Sequence, residues 1–358
     1  MDPMNKHLVV GAGLIGRPLA ERLVARGDTV TIATRSGSTA VGATARVLDA
    51  SDPAAFTQAA MDASTIFVCT NPPYTDWAAQ WPPIYEAAIA AASASGARLV
   101  VMGNLYPYGS PTGAMTEHSP EKTTEAKGLI RQAGWAKMRA AHDAGHIRAV
   151  EVRASDYFGP GATGTAHLGE AFFTAVLGSK TARVVGKPQL AHSWSYLPDI
   201  VTTLIAAADH TGGWGRIWHV PSGTVSRADI VEQLNAHYGT RGKVSGYPQL
   251  LLPSLGVVNP MTHEVWASSY QFVVPFVIDS TETERELGVT ASPWNKALIA
   301  TAESYRNKKR RPLFAPTACQ SHLGSPDLGH ACASAIRHPK RPHAEPLAGI
   351  GSATMTAN

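Results

Sequence analysis

The chain predicts a doubly wound α/β fold, an open parallel sheet with helices on both faces, joined to a smaller C-terminal α/β lobe. Three observations lead there. Apolar strand-length runs alternate with helical segments from His7 to Ala154. The first run ends in a glycine triplet, Gly11, Gly13 and Gly16, that opens a helix. At 358 residues with 44% hydrophobic side chains, the chain is long enough for one large domain and a second lobe.

The stretch "HLVVGAGLIGRPLAERLVARGDTVTIATRS" reads as strand, glycine turn, helix, helix stop at Gly27 and second strand. The glycines of G-x-G-x-x-G serve, in order, the tight turn, the close approach of backbone to a pyrophosphate, and the close contact of helix with sheet. Leu19, Leu23 and Val24 form the buried stripe of that helix. A glycine turn in an ordinary β-α-β unit is the plainer alternative. The pattern points to a Rossmann dinucleotide site bordered by Leu14 and Ile15, with Arg17 near the phosphates or else a solvated helix charge. At the end of the second strand stand Thr34, Arg35 and Ser36, with no carboxylate to receive an adenosine ribose. A guanidinium beside hydroxyls suits a 2′-phosphate, so NADP(H) is favoured over NAD(H).

The alternation continues. "ATARVLDASDP" is a third strand ending in Asp49, close to the adenine, and "ASTIFVCTNPPY" a fourth, with Thr70, Asn71 and Pro72 bordering the cofactor. "WPPIYEAAIAAASASG" is an alanine-rich helix and "ARLVVMGN" a fifth strand, whose Asn104 points into the site because ligands bind outside the carboxyl ends of parallel strands. Residues 1–160 are expected to form the nucleotide-binding core, with about 185–225 returning to it. Residues 161–305 are expected to form mainly a substrate lobe, and 306–358 a basic, disordered tail.

Charge divides unevenly. The tail from Arg306 carries eight Lys or Arg against two acids, a net of +6 within a whole-chain charge of +4, which leaves the body at −2. The body therefore has no nucleic-acid footprint. The tail's basic residues could engage nucleic acid or an acidic partner, and its four histidines and two cysteines a metal, but their spacings match no ligand set. With no run of about eighteen apolar residues and no cleavable signal ahead of the first strand, the expectation is a soluble, cytoplasmic protein without membrane contact. Cys69, Cys319 and Cys332 suit a reducing compartment and neither a disulfide framework nor a metal site.

Further segments, "VVMGNLYPYG", "TEHSP", "VRASDYFGPG", "SWSYLPDIV" and "IWHVPSGTVSRADI", follow in that order. Together with "GAGLIG" they make residues 6 to about 305 similar to the extended short-chain dehydrogenase/reductase family, the NAD(P)-dependent epimerase/dehydratase group. The resemblance implies a small-molecule substrate, a second lobe that selects it, and a homodimer. It also implies a catalytic Ser or Thr, a Tyr, and a Lys four residues after that Tyr. Here Asn104 stands at the hydroxyl position, four residues before Tyr108, Lys127 at the tyrosine position and Arg131 at the lysine position.

The replacements have chemistry of their own. Arg131 can hold ribose hydroxyls but cannot give up a proton, so it reads as cofactor-binding. Lys127 can donate a proton, Asn104 can offer an amide N–H to a developing oxyanion, and Tyr106 and Tyr108 are phenols within reach. Duller readings stand beside these: Lys127 and Arg131 as a solvated helix face, Asn104 as a turn cap, the tyrosines as structural residues. Lys127 and Arg131, one turn apart with no carboxylate at helical spacing, would repel by roughly 0.2–0.5 kcal/mol. Ser155, Asp156 and Tyr157 are expected at the nicotinamide end, with His192, Trp194, Trp266 and Tyr270 as substrate-pocket or core residues. The expected function is an NADP(H)-dependent oxidoreductase of the epimerase/dehydratase type acting on a carbonyl or hydroxyl. The alternatives are a non-catalytic NADP(H)-binding sensor, or a nucleotide-sugar epimerase/dehydratase, which the missing tyrosine and the lack of a second-lobe arginine cluster disfavour.

Overall fold

A computed structural model describes residues 5–162, 166–247 and 267–310. Trp266, Cys319, Cys332 and the tail beyond residue 310 lie outside the described residues.

The expected alternation is present: β1 (Lys6–Val10), α1 (Gly16–Ala25), β2 (Thr29–Thr34), β3 (Thr44–Val47), α2 (Pro53–Ala60), β4 (Thr65–Val68), α3 (Trp77–Ser95), β5 (Arg98–Asn104), α4 (Ala126–Asp143) and β6 (Arg148–Ala154). Then follow β7 (Asp156–Phe158), α5 (Glu170–Leu177), β8 (Thr181–Val184), β9 (Ser193–Tyr196), α6 (Leu197–Asp209) and β10 (Arg216–His219). The described chain closes with β11 (Gly223–Thr224), α7 (Arg227–Tyr238), β12 (Lys243–Gly246), α8 (Thr281–Leu287) and α9 (Trp294–Arg310). Seven strands form one sheet in the order β10-β6-β5-β4-β1-β2-β3, every pair parallel. β7, β9 and β11 make a three-stranded sheet, and β8 pairs with β12.

The period of two along each strand sorts the core. Leu8, Val10, Ile66, Val68, Leu99 and Val101 meet Trp81, Tyr85 and the alanines of α3 on one face. Val9, Phe67, Val100, Val150 and Val152 meet Leu19 and Leu23 of α1 and Ile200 and Leu204 of α6 on the other. Burial on both faces is why these strands read as nearly continuous apolar runs. A third cluster, with Phe158, Phe173, Trp194, Ile230 and Leu298, forms the smaller α/β region. None of the described helices is long and apolar enough to cross a membrane.

Two local departures from the expected elements matter. α3 starts at Trp77, so Pro82 and Pro83 lie inside it rather than at its start. Each proline removes a backbone donor, and burial of Trp77 and Trp81 against the sheet core keeps the preceding turn helical. β3 ends at Val47, which leaves Asp49 in the loop beyond it.

α3 and α4 approach closely because Gly134 has no side chain; an added Cβ there would overlap the Tyr85 ring. Gly134→Ala should therefore destabilise the fold by about 1–3 kcal/mol. Urea unfolding measures this, and an unchanged midpoint would mean that the two helices separate freely.

Candidate active site

The glycine turn works as its spacing implies. Gly11 has φ +105°, and a Cβ there would sit 2.7 Å from the Thr70 nitrogen. A Cβ on Gly16 would overlap the Gly11 carbonyl, so that glycine serves the contact between α1 and the turn. On Gly13 it would meet nothing within 4 Å, because this residue borders a cavity of about 820 Å³. That volume lies in the upper part of the range for small-ligand sites.

The cavity follows the carboxyl edge of the large sheet. Gly11, Gly13, Leu14 and Ile15 line it from the turn, Thr34, Arg35 and Ser36 from the end of β2, and Asp49 from beyond β3. Thr70, Asn71 and Pro72 follow β4, Asn104 and Tyr106 follow β5, Arg131 comes from α4, and Ser155 follows β6. Gly16 and Arg17 are not on the wall; the Arg17 guanidinium is spent on the Thr39 carbonyl. Two wall hydroxyls, Thr34 Oγ1 and Ser155 Oγ, are buried without a hydrogen-bond partner among the described residues. Both oxygens are turned into the protein and away from the open cavity, so Thr34 and Ser155 border it through other atoms. Asp49 Oδ1 accepts from the Ser51 nitrogen at 2.9 Å and hydroxyl at 2.7 Å, bonds that hold its carboxyl below the usual range.

Lys127 and Arg131 are not a solvated face: each is only 2% exposed. Nor do they lack carboxylates. Glu125, the extended N-cap of α4, accepts from the Gly128 nitrogen at 2.9 Å and stands 3.2 Å from Lys127 Nζ. Arg131 donates to the Met102 carbonyl, lies 3.5 Å from Glu151 Oε1, and stacks its guanidinium 4.2 Å from the Trp81 ring centroid. Helical spacing hides both partners, because one precedes the helix and the other sits on β6. Lys127 is not among the residues on the cavity wall. It reaches the site indirectly, 5.3 Å from the centroid of Tyr74, whose hydroxyl is 3.3 Å from that of Tyr106.

Tyr108 is not on the wall either, and belongs to a buried polar chain. Arg153 lies 2.7 Å from Glu151, pairs with Glu121 and covers the Tyr108 ring. Tyr108 Oη is 2.8 Å from His219 Nε2, and His219 Nδ1 is 3.0 Å from the Asp279 carbonyl. Nδ1–H must donate to that carbonyl, so Nε2 accepts from the phenol. Burial pushes Tyr108 up to about 12 and His219 down to about 4. The tyrosine is structural.

At the far end of the cavity, Asn104 Oδ1 accepts from the Tyr106 nitrogen at 3.1 Å. This turn cap fixes the amide so that its NH₂ is the end able to meet a ligand. Burial pushes the Tyr106 phenol well above its ordinary value, leaving it a hydrogen-bond donor at neutral pH. Asp156 and Tyr157 line the same wall. Burial would raise the Asp156 carboxyl, yet first of all the hydrogen bond from His192 holds it below the usual range. Trp194 is a fully buried core residue with its indole donating to the Val225 carbonyl, and Tyr270, partly buried, packs on Phe276 at the edge of the core. Tyr74, Trp77 and Gln271 also line the cavity. The sequence reading named none of the three; Tyr74 follows the expected wall residues Thr70, Asn71 and Pro72 by two positions, whereas nothing local marks Gln271, which arrives from the smaller region. Among the described residues no group of three or more His, Cys, Asp or Glu could hold a metal.

The parallel sheet, the glycine turn and the cavity along the carboxyl edge of the strands define a dinucleotide-binding protein of the doubly wound class. The sequence matches the NAD dependent epimerase/dehydratase family over residues 7–220, and the chain belongs to that family. No curated protein matches it by sequence. Among solved structures it is similar to a UDP-glucose 4-epimerase from Thermotoga maritima with UDP-glucose, at TM-score 0.70 and 14% identity over 85% of this chain and 99% of that one. It is also similar to a UDP-glucuronic acid 4-epimerase from Bacillus cereus with UDP-glucuronic acid and NAD, at TM-score 0.69 and 16% identity over 85% and 99%. The Bordetella bronchiseptica enzyme WbmG with NAD and UDP matches at TM-score 0.66 and 16% identity over 86% and 95%. At these identities the likeness is one of fold.

Two outcomes follow from the buried chain. Glu151→Gln leaves two buried guanidinium groups without their shared carboxylate and should cost about 3–5 kcal/mol in urea unfolding; a loss below about 1 kcal/mol, the value of an exposed pair, would place the charges in solvent. For His219, the folded value lies below the ordinary 6.5. Its contribution is therefore complete above pH 6.5 and lost as pH falls towards about 4, because the unfolded chain takes the proton first. His219→Gln should flatten the acid side of the stability profile in that window, and an unchanged slope would refute the assignment.

Proposed function

We propose that the protein is an NADP(H)-dependent oxidoreductase of the epimerase/dehydratase type, acting on a hydroxyl or carbonyl carbon of a small molecule. The observation that carries this reading is the single cavity that joins the glycine turn to Asn104, Tyr106 and Asp156. Arg35, Thr34 and Ser36 at the adenosine end support the phosphorylated nucleotide over NAD(H), although the solved relatives with a named cofactor hold NAD. When bound, the nucleotide supplies or accepts hydride at the substrate carbon. The Asn104 NH₂ orients the substrate oxygen and stabilises charge on it. The Tyr106 hydroxyl, adjoining Tyr74 and backed by Lys127, exchanges the proton at that oxygen. Arg131 closes the wall between them, its charge balanced by Glu151.

A nucleotide sugar is the second reading. It is favoured by the fold shared over 85% of the chain with proteins solved with UDP-glucose and UDP-glucuronic acid.

NADPH should bind more tightly than NADH, and Arg35→Ala should remove most of that preference, about tenfold or more, in fluorescence titrations. Equal affinities in the wild type would return the cofactor to NAD(H). Tyr106→Phe should lower turnover by roughly 10²–10⁴-fold, as expected for a lost acid–base group, with NADPH affinity unchanged. Full activity in Tyr106→Phe together with loss in Lys127→Met would transfer the proton role to the lysine. Nucleotide binding without turnover of any carbonyl compound, alcohol or UDP-sugar would reduce the protein to a nucleotide binder.

A further inference from the structure

The cavity end farthest from the glycine turn carries a charge that the reaction above does not use. Asp156 opens β7, and His192 immediately precedes β9; pairing of Asp156 with Trp194 sets the two side chains together. His192 Nε2 lies 2.8 Å from Asp156 Oδ2. The imidazole is the inner member, with 4% of its side chain exposed, stacked on Phe272 at 4.9 Å and Phe276 at 5.3 Å. The carboxylate is the outer member, at 15%. It lines both the main cavity and a small adjoining one of about 40 Å³, which also share Tyr74, Tyr106 and Tyr157.

The basic groups around Asp156 other than its partner His192 are turned off the wall, tied elsewhere or biased towards the neutral form. Arg227 is buried off the cavity, with Nη2 donating to the Val185 carbonyl at 2.7 Å and its guanidinium over Phe272. Burial pushes His167, on the small cavity, below its ordinary value and so towards the neutral form. Arg131 is tied to Met102 and Glu151. A ligand group at this wall therefore meets an ionised acceptor flanked by phenols, in a partly desolvated space where like charges repel strongly.

We propose that Asp156, held in place by His192, determines specificity: it admits a substrate that presents a hydroxyl or amine donor here and rejects one that presents a phosphate. The proposal rests on reading the cavity as an active site, and narrows its substrate to an uncharged or cationic hydroxy or carbonyl compound. A carboxylate accepts up to four such hydrogen bonds and donates none.

The test is calorimetric titration of the full chain, saturated with NADP⁺, with UDP-glucose. The wild type should bind it no more tightly than about 1 mM, and Asp156→Asn, likewise saturated with NADP⁺, should tighten it by at least about tenfold. A micromolar dissociation constant for the wild type, or no gain in Asp156→Asn, overturns the proposal. Asp156→Ser takes over if the Asn variant loses NADP⁺ binding, and the wild-type affinity decides alone if both do. These affinities need no turnover. Absence of any reaction would sink the proposed activity and leave the assignment to be settled by binding, whereas tight UDP-glucose binding would sink the assignment and leave the activity standing.

Discussion

One buried carboxylate holds the interior of this protein together. Glu151 stands on β6, fully buried, between the guanidinium groups of Arg131 and Arg153. It has room there because Gly103, on the neighbouring strand, has no side chain; a Cβ would come within 2.7 Å of the carboxyl. Without that anion, Arg131 would be buried with no carboxylate partner among the described residues and Arg153 would keep only Glu121, a costly loss at the point where β5, β6 and α4 converge. With it, Arg131 can close the cavity wall and lie flat on Trp81, while Arg153 organises Tyr108 and Glu121.

The same arrangement divides labour along the helix that carries the unusual cations. Arg131 reaches the cavity but has committed its strongest contacts to Met102 and Glu151. Lys127 stands one turn earlier, off the wall and beside Tyr74. The polar side chains that border the cavity near Arg131 come instead from strand ends: Asn104, Tyr106 and Asp156. Carboxylates stand on both sides of the site, Asp49 beside the exposed Arg35 and Asp156 beyond β6.

Most of the architecture was legible in the sequence because it rests on local rules. The glycine spacing, the alternation of strand and helix, and the runs of buried β residues all report short-range geometry, and the observed large sheet follows them. What stayed hidden is tertiary. Glu151 is an ordinary acid in "AVEVRA" until α4 folds over it, and Gln271 comes to the cavity from another region altogether. The reading of Lys127 and Arg131 as cations without carboxylates failed for the same reason: helical spacing counts neighbours along one element and is blind to a cap or a strand beneath. Tyr108 and Asn104 look equally reactive in "GNLYPYG", and only the hydrogen bonds to His219 and to the Tyr106 nitrogen separate a structural phenol from a wall amide.

Glu125 has two partners at once, the first-turn amide of Gly128 and the ammonium of Lys127. Serine, threonine or aspartate would each cap the helix as well or better, but their shorter side chains would not keep the same reach to the lysine. Replacing the lysine alone would leave a carboxylate in a half-buried position with a single partner to justify it. The two positions are therefore genetically entangled, and the effects of changing them should not add. A tyrosine at position 127 would take the ammonium away from Glu125 while the bond from the Gly128 amide stayed in place, so the helix would keep its cap and lose its charge balance.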